Sequence, residues 1–265
     1  MDWYPLWNSL RIAAIACVLV FFSGIALAYY VARLPRILKG ILDVFLTLPL
    51  VLPPTVCGFL LLSVLGRNTA FGRFFQEIGF PLVFSWQATV IAAVVVAFPL
   101  MYRSARGAFE SLDPNMLDAA RTLGWSNGRI FLRLMLPLAW SSIASGTVLA
   151  FARALGEFGC TLFLAGNQLG STRTIPIAIY FEWMNGNTEA TWFWTIVLLV
   201  FSFLVILFIN LWSRHTTRYR QKSSHEGRSP KPRRNGTRGG GRRRSAKGLR
   251  EDSAGSADVL GEGVA

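Results

Sequence analysis

Five apolar runs, at roughly residues 12–32, 41–65, 83–103, 138–165 and 192–212, alternate with short charged connections. A hydrocarbon core of ~30 Å is crossed by about 20 helical residues, so each run is long enough to span it. Inside lipid the backbone must satisfy its own hydrogen bonds, and runs of this length therefore read as helices. The expected fold class is an all-α integral membrane bundle of five transmembrane helices. A sixth crossing would need residues 175–183 to dip into the bilayer, and that stretch is too short to span it. Only 15% of the residues are charged, against about 25% in a soluble domain. The expected organisation is a transmembrane domain over 1–213, with a connecting loop at 104–137, followed by a tail over 214–265.

The charges also set an orientation. Arg33, Arg36 and Lys39, then Arg103, Arg106, Arg121, Arg129 and Arg133, then fourteen basic residues from Arg214 onward fall on one side of the bundle. The other side holds only Arg67, Arg73 and Arg173. Basic excess in short loops marks the cytoplasmic face. The N-terminus is then expected outside and the C-terminus in the cytoplasm, at the plasma (inner) membrane. Ala26-Leu27-Ala28 resembles a signal cleavage site, but a signal peptide has a basic leading region. Here Asp2 leads and Arg11 alone precedes the apolar run, so retention of the first span is expected. The tail is rich in Arg, Gly, Ser and Pro, with too few apolar residues to fold, and is expected to be disordered. Arg242-Arg243-Arg244 suits contact with anionic lipid headgroups, and no specific nucleic-acid partner is expected. Cys17, Cys57 and Cys160 lie within apolar runs without ligand-like spacing; they read as small buried hydrophobes, with no disulfide framework or metal site.

The loop at 104–137 carries its own structure. Asp113 is placed as an N-cap, Pro114 as the first helical residue and Gly124 as the C-terminal stop. Met116, Leu117, Ala120 and Leu123 recur at helical spacing, while Asp118 and Arg121 point elsewhere. Ser126 can cap a second short helix, with Ile130, Phe131, Leu134 and Met135 on its apolar face and Pro137 opening the next span. The expected shape is a compact two-helix knob. An apolar stripe of this kind either enters a groove on a partner or lies along the bilayer.

Two further constellations stand inside the spans. Pro49, Pro53 and Pro54 remove N–H donors and leave carbonyls of the second span without partners. That reads either as a hinge beside a translocation pathway or as a static kink covered by neighbours. Arg153 and Glu157, four residues apart on one helical face, form an ion pair deep in a span, where an uncompensated charge costs several kcal/mol. They read as a structural pair or, alternatively, as part of a gate in which Arg153 meets a passing anion. Gly24, Ala28, Gly146, Gly156 and Gly159 permit close helix crossings.

Asp118-Ala119-Ala120, three residues, Gly124, nine residues and Leu134-x-Leu136-Pro137 together resemble the EAA loop of ABC-importer permeases. Asp118 stands where the family has Glu and Leu134 where it has Ile, both conservative changes. Leu48 to Pro54, Phe98 to Met101, Ala119 to Gly124, Gly146 to Gly159 and Thr172 to Pro176 resemble the molybdate-type branch, and the likeness covers about residues 10–213. The resemblance implies a type I importer permease bundle. In it Met116, Leu117, Asp118, Ala119, Ala120, Arg121, Thr122, Leu123 and Gly124 form a cytoplasmic coupling helix that docks on a separate ATPase subunit. It further implies two ATPase copies, a second permease copy completing a homodimer, an external substrate-binding protein and contact with membrane lipid. The implied cargo is an oxyanion, molybdate first, with sulfate or tungstate as alternatives.

The sequence contains no Gly-x-x-x-x-Gly-Lys-Ser/Thr phosphate loop. The chain is therefore expected to hold no cofactor and to be no enzyme, with ATP and Mg used by the partner ATPase. Five helices are too few to enclose a hydrated anion comfortably, which also favours a two-fold pair. An intramembrane enzyme would need a convergent reactive set, yet His215 and His225 lie outside the spans and Glu157 has no second acid nearby. An ion-coupled secondary transporter working without ATP usually shows inverted repeats and several intramembrane charges, and no repeat is visible here.

Overall fold

The computed structural model describes the backbone of residues 2–226 and the side chains of residues 2–207. All regular structure among these residues is helical. Among the described residues four helical runs are long and apolar enough to cross a membrane, α1 (Tyr4–Ala32), α5 (Trp86–Glu110), the run Asn127–Leu155 and the apolar part of α11 at Thr188–Leu207, and the bent pair Arg36–Val51 and Pro54–Leu65 makes a fifth if it is one broken span. The run Asn127–Leu155 comprises α7 (Asn127–Ile130), a π-helical turn (Phe131–Met135) and α8 (Leu136–Leu155). The remaining elements are α2 (Arg36–Val51), α3 (Pro54–Leu65), α4 (Ala70–Glu77), α6 (Pro114–Thr122), α9 (Gly159–Ala165), α10 (Ile175–Met184) and α11 (Thr188–Glu226).

Helix α5 is the centre of the bundle and packs against α1 and α8. The three helices meet through small residues: Ala13, Ala16 and Ala28 of α1, Ala93, Ala97 and Ala105 of α5, and Ala139 and Ala150 of α8 are all buried. Lipid tails are as apolar as these side chains, so association rests on close van der Waals fit. Two glycines set that distance. A Cβ on Gly24 would stand 2.9 Å from Met101 Cγ, and one on Gly146 would stand 2.5 Å from Ser104 Cβ. Outside this core the surface is apolar. Val18, Phe22, Leu199 and Phe203 are more than half exposed, a patch that a water-facing protein would not tolerate and a bilayer covers.

Several expected boundaries move. The stretch expected as one span over 41–65 is two helices, α2 and α3, bent by 115° at Leu52 and Pro53. Both residues are extended, with ψ of 139° and 135°. Pro53 and Pro54 lack the donors that would continue α2, and Pro54 is instead pre-set as the first residue of α3. The stretch expected over 138–165 is likewise interrupted. It stops at Leu155, and Gly156 to Phe158 separate it from the short α9.

The third span reaches Glu110, about two turns into the loop expected at 104–137. The second half of the expected knob is not a free helix, because it runs straight on into α8. Pro137 has no N–H to give the carbonyl of Arg133, and the ladder widens before it, with the Leu136 N–H bonding to the Phe131 carbonyl. Residues 175–183 form α10, which at ten residues is about 15 Å long and does not span. Residues 214–226, the first part of the tail expected to be disordered over 214–265, continue α11 as helix; residues 227–265 lie outside the described residues.

Side-chain ties hold both ends of the bundle. At one end Asn8 of α1 donates to the carbonyls of Ser171 and Arg173, both at 3.1 Å, and accepts from Trp86 Nε1 at 2.9 Å. Ser9 Oγ accepts the Ile175 N–H at 2.8 Å. Both residues are buried. At the other end the start of α2 meets the last turn of α5, with Lys39 Nζ 3.0 Å from Glu110 Oε1.

Candidate functional site: an exposed end helix and two facing helix breaks

Helix α6 is fixed by its caps. The Asp113 carboxylate accepts the Asn115 N–H at 2.9 Å and Pro114 opens the first turn. Beyond Thr122 the chain turns through Gly124 at φ +76°, a left-handed conformation that costs other residues roughly 1–2 kcal/mol. The Gly124 N–H bonds to the Arg121 carbonyl at 2.9 Å and the Trp125 N–H to the Ala120 carbonyl at 3.1 Å. These are the two crossed bonds of a Schellman stop. Ser126 then caps α7 through the Arg129 N–H.

The expected apolar stripe divides. Ala120 is buried and Leu117 and Trp125 pack on the main core, so this part of the stripe seats α6 against its own bundle. Met116 is half-buried, while Asp118, Ala119, Arg121 and Thr122 are exposed. Leu123 is 76% exposed. Asp118 and Arg121 pair with each other, Oδ1 lying 2.5 Å from Nη1, which leaves the outward face nearly neutral. An interfacial helix would turn its apolar residues to lipid; α6 turns most of them to protein and presents a small, rigid, exposed end.

The second group of candidates comes together in space. Pro49 lies inside the last turn of α2, and Pro53 and Pro54 form the elbow into α3. A Cβ on Gly159 would be 3.0 Å from Pro54 Cβ and 3.2 Å from the Thr55 nitrogen. A Cβ on Gly58 would be 2.9 Å from Cys160 Cα. The break after Leu52 and the break after Leu155 therefore face each other across backbone contacts. Cys57, Cys160, Leu164, Val96, Ala92 and Ala88 fill a second buried cluster around that junction.

Arg153 and Glu157 bracket the second break. Glu157 is buried, with its side chain 1% exposed, while that of Arg153 is 30% exposed. Glu157 Oε1 accepts the Cys160 N–H at 2.8 Å and thereby caps α9. Its Oε2 lies 2.7 Å from Arg153 Nη1, without hydrogen-bond geometry. Glu157 thus has a structural task at the corner, and the head of Arg153 reaches the accessible side. Among the described residues no cluster of three or more His, Cys, Asp or Glu side chains could hold a metal ion.

Sequence patterning missed the tie of Asn8, Ser9 and Trp86. Each lies near the edge of an apolar run, where a lone polar or aromatic residue reads as interfacial; nothing local announces a partner 78 residues away.

Residues 24–218 match the family model for the binding-protein-dependent transport system inner membrane component. The chain belongs to that family. Within the family, ModB of Escherichia coli K12, named a molybdenum transport system permease protein, is 44% identical over 180 residues, covering 68% of this chain and 79% of that protein. YvgM of Bacillus subtilis strain 168, provisionally named a molybdenum transport system permease protein, is 41% identical over 215 residues, covering 80% of this chain and 93% of that protein. Among solved structures, a bacterial ABC transporter involved in import of the acidic polysaccharide alginate superimposes with a TM-score of 0.65 at 18% identity, over 81% of this chain and 79% of that one. The fold is the type I ABC importer permease bundle, and the chain is a multi-pass inner-membrane transport component.

Proposed function

We propose that this chain is the permease subunit of an ATP-driven molybdate importer. The identity of 41–44% to proteins named for molybdenum transport, sustained over most of both chains, carries the reading of the cargo. Two copies enclose the pathway, because the described helices leave α2 and α11 with long apolar faces open to a second copy or to lipid. An external binding protein delivers the oxyanion. The end of the bundle bearing Arg33, Arg36, Lys39 and α6 faces the cytoplasm, and the N-terminus is outside, as the basic excess at that end supports.

Helix α6, with Leu123 and Ala119 outward, docks on a separate ATPase subunit, which binds ATP and Mg; this chain binds neither. ATP-driven closure of two such subunits draws the two α6 helices together and rocks the spans between inward-facing and outward-facing states. The junction of the two helix breaks lies on the pathway, with Pro53 and Pro54 as its elbow and Arg153 presented to the passing anion.

The test is uptake of radiolabelled molybdate by vesicles that hold this chain, an ABC ATPase subunit and a molybdate-binding protein from the same organism. ATP-dependent uptake that excess tungstate suppresses and equimolar sulfate does not is expected. ATP-dependent uptake of labelled sulfate but not of molybdate would reassign the cargo, and uptake without ATP would overturn the reading.

A further inference from the structure

Four charged side chains lace α2 to α5. Lys39 and Asp43 stand one turn apart on α2, and Arg106 and Glu110 stand one turn apart on α5. The two helices run in opposite directions, so the pairs meet in order. Lys39 Nζ lies 3.0 Å from Glu110 Oε1, and Arg106 Nη1 contacts Asp43 Oδ1. Arg106 Nε also donates to Glu110 Oε1 at 3.1 Å. The chain Lys39, Glu110, Arg106, Asp43 alternates in sign and closes with no net charge. Arg106 is its hub.

Little else holds this part of α2. None of its residues is buried. Leu42 and Leu46 lean on the core, whereas Ile37, Ile41, Val44 and Phe45 are each more than 60% exposed. Partly exposed ion pairs add little to stability. Several pairs in one register nonetheless fix where one helix stands against another.

Each end of the laced segment leads to a working part. Glu110 ends α5, and Pro114 opens α6 after a short turn capped by Asp113. In the other direction α2 leads to the 115° elbow at Pro53 and Pro54, where Pro54 packs against Gly159. We infer that Arg106 is a positioning residue of the transport cycle: with Asp43, Glu110 and Lys39 it forms a link that stays closed while it carries displacement of α6 through the end of α5 into α2, and so to the elbow. The inference rests on the coupling role proposed for α6.

The experiment uses the full complex in proteoliposomes. Asp43 and Arg106 are both replaced by cysteine in a chain whose Cys17, Cys57 and Cys160 are alanine, and the pair is bridged by a short bis-methanethiosulfonate that reductant removes. Without the bridge, molybdate taken up per ATP hydrolysed falls about tenfold relative to the cysteine-free chain, a loss within the range of allosteric coupling effects. With the bridge in place the ratio returns to that of the cysteine-free chain. Both states are the same folded protein, so a misfolded variant cannot mimic the result. Full coupling without the bridge overturns the inference, and so does a bridge that stops uptake, since the link would then have to open. Failure of the native-sequence complex to take up molybdate would instead strike the functional reading.

Discussion

Glu157 accepts the backbone N–H of Cys160 at 2.8 Å across the break between α8 and α9, so one buried carboxylate turns the chain at the junction that packs on Pro54. Its second oxygen faces Arg153 at 2.7 Å. The two contacts predict a graded series. Glu157→Gln keeps an acceptor for Cys160 and loses only the ion pair; the Arg153 side chain is 30% exposed and can be hydrated, so this loss should be smaller than loss of the cap as well. Glu157→Ala leaves a buried N–H unsatisfied as well and should cost about 1–3 kcal/mol. Thermal unfolding in detergent should rank wild type, Gln, Ala. Equal unfolding of all three would remove the structural role. Loss of coupled uptake in the Gln variant at near-normal stability would assign Glu157 to the gate.

Gly124 makes a separate prediction. Its φ of +76° and its N–H bond to Arg121 both end α6. Asparagine tolerates the left-handed region, alanine does so at roughly 1–2 kcal/mol, and proline can neither adopt it nor donate. No neighbour crowds a side chain there, so the ranking isolates backbone geometry. Gly124→Asn should transport, Gly124→Ala should weaken coupling, and Gly124→Pro should leave the bundle in the membrane while abolishing ATP-dependent uptake. Wild-type uptake by the proline variant would count against α6 as the coupling element.

The ends of α6 were legible because Asp113, Pro114 and Gly124 act through bonds to residues two to four positions away, and such chemistry is written locally. The proline elbow was legible for the same reason: missing donors are a property of the residue. Its angle was not, since 115° depends on what α3 packs against, and that is α9. The break after Leu155 was hidden because residues 138–165 are mainly apolar, with Arg153 and Glu157 spaced as an i,i+4 pair of a continuous helix, and apolarity reports the solvent rather than the continuity of the helix. Gly156 and Gly159 stood there as a signal but read equally well as packing residues. The inward turn of Ala120 and Leu117 was hidden too, because helical spacing gives a face without saying whether a partner or the chain's own core receives it. Lys39 and Glu110 lie 71 residues apart, and no pattern in either helix predicts their meeting.

The tie between α1, α5 and the loop before α10 should be brittle at Asn8. Its amide donates twice and accepts once, a role that aspartate cannot fill because an ionised carboxylate only accepts. Asn8→Asp would place two carbonyl oxygens against a carboxylate in a buried site and should be worse than Asn8→Ala, which should itself cost about 1–3 kcal/mol. Melting temperatures of the purified chain check the order. An aspartate variant as stable as wild type would mean that α1, α5 and the loop before α10 are not held by this residue.

The crossing of α5 and α8 is set by Gly146 and Ser104, and the two should be exchangeable only together. A Cβ on Gly146 would sit 2.5 Å from Ser104 Cβ, well inside contact distance, and Ser104 Cβ is attached directly to its backbone and cannot swing away. Gly146→Ala should therefore push the helices apart at a cost of about 1–3 kcal/mol, the usual range for overpacking. By contrast, Gly24→Ala meets the Cγ of Met101 at 2.9 Å, on an unbranched side chain that can rotate, and should be milder. Removing the opposing atom tests the cause: Ser104→Gly combined with Gly146→Ala should recover most of the lost stability, although a second glycine mid-helix costs roughly 0.5–1 kcal/mol of its own. Additive losses in the double variant would show that the two residues do not meet, and the small-residue account of this bundle would fail at its tightest point.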